Sequence, residues 1–159
     1  MNRAPDGRVA PNDTPRQVVM VVEDDIWIRL MISDELRGAG FEVIECGSAD
    51  EAIDLLRGGT RVSTVFSDIR LPGSINGLGL AKTVRQEFPD LPMLLASSDL
   101  PRDDSTLHDG FFAKPYDPRT IVEAIRSVVA RNGSGASPLP LHDRFKQRSG
   151  DPYDPAGRG

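Results

Sequence analysis

The sequence predicts a doubly wound α/β domain: a five-stranded parallel sheet, order 2-1-3-4-5, with helices on both faces. Three observations predict it. Short apolar or β-branched runs alternate with amphipathic stretches of helical spacing, the pattern of parallel strands joined by right-handed crossover helices. The first run, residues 17–22, is apolar nearly throughout, as in a strand buried on both faces. The second, residues 41–45, alternates as an edge strand does. Finally, acidic residues follow the ends of the first and third runs, and the order 2-1-3-4-5 places those ends side by side at its switch point.

Residues 1–15 contain three prolines, one glycine and four charges without apolar periodicity, and are expected to form a disordered arm. After the first strand come Glu23, Asp24 and Asp25. Then Ile26, Trp27, Leu30, Met31 and Leu36 recur at helical spacing up to Gly38 and Gly40. Following the second strand, Ser48 and Asp50 can cap a helix with Glu51 in its first turn and Ala52, Ile53, Leu55 and Leu56 on its apolar face. Gly58 and Gly59 stop it. The third strand covers 62–67. A loop with Pro72, Gly73, Asn76 and Gly77 leads to a helix over 78–88, stopped by Pro89.

Residues 92–98 read as the fourth strand. Residues 99–109 are polar, so any helix there is brief or frayed. Residues 110–113 form a short fifth strand ending at Lys114-Pro115. Asp117-Pro118 opens the last helix, with an apolar stripe of Ile121, Val122, Ile125, Val128 and Val129. Residues 132–159 have the composition of a disordered tail, leaving one domain over 16–131.

Composition narrows the function. Net charge is -5 and no basic stripe is present, which argues against nucleic acid or an anionic membrane as partner. Cys46 is the single cysteine, so an internal disulfide is excluded and a reduced, cytoplasmic setting is expected. The sequence has no apolar run of membrane-spanning length and no signal peptide. His108 and His142 lie in polar stretches without partner ligands and read as solvated surface.

The chemistry centres on Asp68, which ends a buried strand just before a Pro-Gly breaker. Glu23, Asp24 and Asp68 in one crevice repel one another unless a cation intervenes. Mg²⁺, or Mn²⁺ in its place, takes such oxygen ligands and often shares its site with a phosphate. Asp68 can then act as a nucleophile toward phosphorus. Ser97, at the end of strand four, offers a hydroxyl. Lys114, at the end of strand five, offers an ammonium for a phosphoryl oxygen. Each also has a plainer reading: Asp24 or Asp25 as a helix cap, Asp68 as a turn former, Ser97 and Lys114 as ordinary strand-end and loop residues. Their joint placement favours the site.

Val21-Val22-Glu23-Asp24-Asp25, Ser67-Asp68-Ile69-Arg70-Leu71-Pro72-Gly73, Asn76-Gly77-Leu78, Ala96-Ser97-Ser98 and Phe111-Phe112-Ala113-Lys114-Pro115 together resemble the receiver domain of two-component response regulators, a flavodoxin-like fold. The resemblance implies that Asp68 accepts a phosphoryl group from a sensor histidine kinase or histidine phosphotransfer protein. It implies that Glu23, Asp24, Asp68 and the backbone carbonyl of Arg70 hold Mg²⁺. Ser97 and Phe111 would be the switch pair, and Lys114 the phosphoryl contact. Arg70 and Asp99 would set the phosphoryl lifetime. The sequence departs from the family pattern in three places. Glu23 stands where Asp is commoner, the loop after Pro72 carries an extra residue, and the segment between Ser97 and Lys114 is several residues short. That shortening removes much of the usual fourth helix, so no dimer mode is carried over and a monomer is allowed.

No output domain is expected after residue 131, so the protein would be a stand-alone, non-enzymatic phosphoacceptor with intrinsic autodephosphorylation. It would signal through a downstream protein or act as a phosphate sink. Two alternatives are an Asp-nucleophile, metal-dependent phosphatase and a pseudo-receiver that binds partners without phosphorylation. The phosphatase would need a second Asp two residues after Asp68, where Arg70 stands.

Overall fold

The apolar runs become the strands of one parallel sheet. The computed structural model describes residues 16–99 and 106–132. Its elements are β1 (Val18–Val22), α1 (Ile26–Gly38), β2 (Glu42–Cys46), α2 (Ala49–Arg57), β3 (Thr64–Asp68), α3 (Gly77–Glu87), β4 (Met93–Ser97), β5 (Gly110–Ala113) and α4 (Pro118–Asn132). The order is β2-β1-β3-β4-β5 with every pair parallel, as the sequence predicts. The expected arm, and the tail beyond Asn132, lie outside the described residues.

Strand periodicity divides the core in two. Met20, Val22, Val65, Met93 and Leu95 pack with Ile53, Leu56, Leu80 and Val84 from α2 and α3. Val19, Val21, Phe66, Leu94 and Ala96 pack with Ile32, Leu36, Ile121 and Ile125 from α1 and α4. Burying each of the larger side chains is worth about 1.5–3 kcal/mol, which is what holds the strand ends in register. Among the described residues no helix is long and apolar enough to cross a membrane.

Local signals set the helix starts. Asp25 caps α1, its Oδ1 accepting from the backbone N–H of Trp27 at 2.9 Å and of Ile28 at 3.1 Å. Ser48 caps α2 through Glu51 N–H, and Asn76 caps α3 through Gly79 N–H at 2.9 Å. Each cap contributes about 1 kcal/mol. The Asn76 cap explains why α3 begins at Gly77, one residue earlier than its apolar pattern. β3 is also displaced from the expected 62–67. Asp68 registers with Ala96 of β4, and Ile69 N–H donates to Ala96 O at 2.9 Å, so parallel pairing carries the strand through Asp68.

Between β4 and β5, residues 99 and 106–109 are non-helical, and 100–105 lie outside the described residues. The return to β5 is fastened by Asp109. Its Oδ2 accepts from Met93 N–H at 2.8 Å and from Arg85 at 2.9 Å, while its own N–H donates to Met93 O at 2.7 Å.

The loop after β3 closes at Gly77, whose N–H donates to Ile69 O at 2.9 Å. A Cβ at Gly77 would lie 2.1 Å from Asp68 O and 2.7 Å from Ile69 Cα, both backbone atoms. Gly77→Ala is therefore expected to lose about 1–3 kcal/mol in urea unfolding. Gly38→Ala, in α1 with nothing within 4 Å of its added methyl, is expected to gain up to about 1 kcal/mol.

Candidate phosphoryl and metal site

Three strand ends build the site. β1 runs into Glu23 and Asp24, and β3 ends on Asp68. Glu23 is 4% exposed and Asp68 7%, whereas Asp24 faces solvent. One carboxylate oxygen from each of the three lies within 4.8 Å of the others. β5 supplies the cation. Lys114 N–H donates to Ser97 O at 2.9 Å, extending the β4–β5 ladder to the sheet edge. From there Lys114 Nζ reaches Asp68 Oδ2 at 2.8 Å and Glu23 Oε2 at 3.1 Å. The Lys114–Pro115 peptide bond is cis.

Backbone donors hold the remaining oxygens. Arg70 N–H donates to Asp68 Oδ1 at 3.1 Å, and Asp25 N–H to Glu23 Oε1 at 3.2 Å. Burial pushes the Glu23 carboxyl above its ordinary range, and the Asp68 charge adds to this. The hydrogen bonds from Lys114 and Asp25 N–H only partly oppose it. For Lys114, burial acts to lower the pKa, but hydrogen bonds and charge from Asp68 and Glu23 outweigh it and leave the ammonium more firmly protonated than usual. One ammonium faces three carboxylates, so the notch remains short of positive charge. Hard oxygen donors with negative charge to spare suit Mg²⁺ or Mn²⁺, and Glu23, Asp24 and Asp68 are the side chains able to hold it. Asp25 is not available to it, being committed to the α1 cap.

The other predicted residues frame this notch. Arg70 and Asp99 form an exposed ion pair. Ser97 is buried, and its Oγ accepts from Asp99 N–H at 3.2 Å. Phe111 is set back from the edge, since β5 registers Ala113 with Ser97 and Phe111 with Leu95. Its half-buried ring packs against the α2–α3 side of the core, 6.1 Å from the His108 ring.

Two contributors have no assigned role in the sequence reading. Arg29 NH1 donates to Glu23 O at 2.7 Å, while its Nε pairs with Glu45 at 3.4 Å. It thereby ties the acidic turn to α1 and β2. Its signal was a cation one turn into the helix that follows the acidic run. Tyr116 packs edge-on against Phe66, with ring centroids 5.8 Å apart. Its hydroxyl is buried without a hydrogen-bond partner among the described residues, and burial pushes its pKa up to about 12. An aromatic directly after Lys-Pro was the only hint of it.

Known proteins resemble this chain in sequence and in fold. The model of the response regulator receiver domain family fits residues 19–126. The DNA-binding response regulator MtrA of Mycobacterium tuberculosis is 30% identical over 125 residues, covering 76% of this chain and 54% of MtrA. The DNA-binding transcriptional regulator NtrC of Klebsiella pneumoniae is 36% identical over 118 residues, 71% of this chain and 24% of NtrC. The chain thus spans about half the length of MtrA and a quarter of NtrC. Among solved structures, the Thermotoga maritima response regulator TrrA, in complex with Mg²⁺ and BeF, superposes with a TM-score of 0.65 at 26% identity, covering 70% of this chain and 98% of TrrA. A CheY-like receiver domain protein from Methanospirillum hungatei gives 0.68 at 20% identity, over 74% of this chain and 96% of its own, a likeness of fold. With the family match running unbroken from β1 into α4, the chain belongs to the response regulator receiver domain family of two-component systems.

Proposed function

We propose that Asp68 accepts a phosphoryl group from a sensor histidine kinase or histidine phosphotransfer protein, and that residues 16–131 act as a phosphorylation-driven switch. The observation that carries this reading is the convergence of Glu23, Asp24 and Asp68 around Lys114 Nζ at the sheet edge. The solved complex of TrrA with Mg²⁺ and BeF supports it by likeness.

In the transfer, an Asp68 carboxylate oxygen forms the new bond to phosphorus. The donor's P–N bond breaks, and its electron pair leaves with the imidazole. Arg70 N–H holds Asp68 Oδ1, fixing the carboxylate plane. Lys114, already at Asp68 Oδ2, is placed to follow the incoming charge onto a phosphoryl oxygen. A divalent ion held by Glu23, Asp24, Asp68 and the Arg70 carbonyl would neutralise the phosphoryl oxygens as a Lewis acid. Phosphorylation adds about two negative charges. Ser97, whose Oγ accepts the Asp99 N–H, would turn toward them. Phe111, two residues along the neighbouring strand and on the α2–α3 side, would follow. The changed surface around 97–116 would be read by a downstream protein, or the module would serve as a phosphate sink. Autodephosphorylation would reset it. A phosphatase reading is disfavoured because Arg70 stands where an acid/base carboxylate is needed and is held in an ion pair with Asp99.

Acetyl phosphate with Mg²⁺ is expected to label the protein on an acid-stable, hydroxylamine-labile bond, and Asp68→Asn to abolish that label. Label at the wild-type rate in Asp68→Asn would refute the acceptor assignment. Arg70 and Asp99 form an exposed ion pair, and their backbone N–H groups donate to Asp68 and Ser97, so replacing both with Ala is expected to change the half-life of the phosphorylated protein. An unchanged decay would remove them from lifetime control.

Glu23 gives a pH signature. Its carboxyl is raised on folding, so its contribution to stability is full below the unfolded value of about 4.3 and is lost as pH rises through the folded value. At pH 7 its buried charge is therefore a cost. Without divalent ions, Glu23→Gln is expected to stabilise the fold at pH 7 by on the order of 1 kcal/mol, with the gain vanishing below about pH 4. Thermal unfolding followed by circular dichroism at both pH values checks this. The same variant is expected to weaken Mg²⁺-induced stabilisation.

A further inference from the structure

α1 carries an apolar face that the described fold leaves uncovered. Ile26, Trp27, Leu30 and Met31 are 53%, 78%, 38% and 46% exposed. Trp27 and Met31, like Ile26 and Leu30, stand one turn apart and form a continuous surface. Met31 leads into a groove of about 290 Å³ whose other walls are Ile28, Ser98, Lys114, Pro115 and Tyr116. Exposed carboxylates bracket the face, Asp24 and Asp25 at its start and Asp34 and Glu35 a turn beyond Met31. The nearby cations Arg29 and Arg37 are already engaged with Glu45, and Arg37 also pairs with Asp34 at 3.6 Å. An occupant suited to this surface brings an apolar anchor of aromatic size flanked by positive charge.

The sequence after α4 contains such a segment. Residues 139–148 read Leu139-Pro140-Leu141-His142-Asp143-Arg144-Phe145-Lys146-Gln147-Arg148, an aromatic among cations with two leucines before it. The reach is sufficient. α4 starts at Pro118, beside the Tyr116 end of the groove, and ends at Asn132, so the chain leaves about 22 Å away along the helix axis. Phe145 follows Asn132 by 13 residues, which span up to about 43 Å when extended. Gly133-Ser134-Gly135-Ala136-Ser137 has the composition of a flexible linker.

We propose that residues 139–148 dock on the apolar face of α1, with Phe145 in the groove beside Tyr116. Arg144, Lys146 and Arg148 then face Asp24, Asp25 and Glu35. The docking does not depend on the function proposed above.

Trp27 is the single tryptophan of the chain, so acrylamide quenching of the full-length protein reads this face directly. Two full-length variants are compared with wild type: Phe145→Ala, and Arg144→Glu combined with Lys146→Glu and Arg148→Glu. Both are expected to raise the quenching constant about two-fold, as for a weak contact held at millimolar local concentration by a short linker. Equal quenching in all three proteins overturns the proposal. So does wild-type shielding that grows with protein concentration, which assigns the face to a second copy, or shielding that arises only when a phosphodonor protein is added. The measurement involves no phosphoryl transfer, so its outcome and that of Asp68 labelling are independent.

Discussion

The arrangement turns on the ammonium of Lys114 lying between two carboxylates that burial would otherwise force apart. Glu23 and Asp68 come from different strands and are both nearly sealed from water. Their mutual repulsion is tolerated because Lys114 Nζ touches each, and because backbone N–H groups hold the oxygens it does not reach. Removing Lys114 from such a set would leave two buried carboxylates without their cation. The sheet, its crossover helices and the β5 ladder together fix the position of that one cation. Any new charge on Asp68 would therefore act on a contact already in place.

Much of this was legible in the sequence because it rests on patterns of period two and on strand-end residues. The runs around Val19, Val65 and Leu94 named their strands, and β3, β4 and, beyond Val18, β1 are buried throughout, which required the interior places they took. Asp68, Asp24, Glu23 and Lys114 were found because each ends or follows such a run. What escaped depends on side-chain reach. Arg29 spans from α1 to a carbonyl and to Glu45, and no spacing rule encodes a bond that joins three elements. The choice between Asp24 and Asp25 as helix cap also had to await the backbone turn. Tyr116 could not be recognised because an unpaired buried hydroxyl is defined by what surrounds it.

The division of labour along α1 connects the fold to the surface. Its buried side, Ile32, Ser33 and Leu36, anchors the helix. Its first turn is capped by Asp25, which keeps that carboxylate away from the acidic cluster while the adjacent Asp24 stays free for it. Its outer side exposes Trp27 and Met31 beside the site. A single helix thus sets the acidic turn, stabilises one half of the core and carries the apolar surface nearest the chemistry.

The neck of the β3–α3 loop is pinned where Gly77 meets the Asp68 and Ile69 backbone, while its tip only rests on α2 through the Ser74–Asp50 hydrogen bond. Length changes at the tip therefore bulge outward and leave the Asp68 carboxylate unmoved. Descendants of this chain are free to vary that rim without rebuilding the acidic notch underneath.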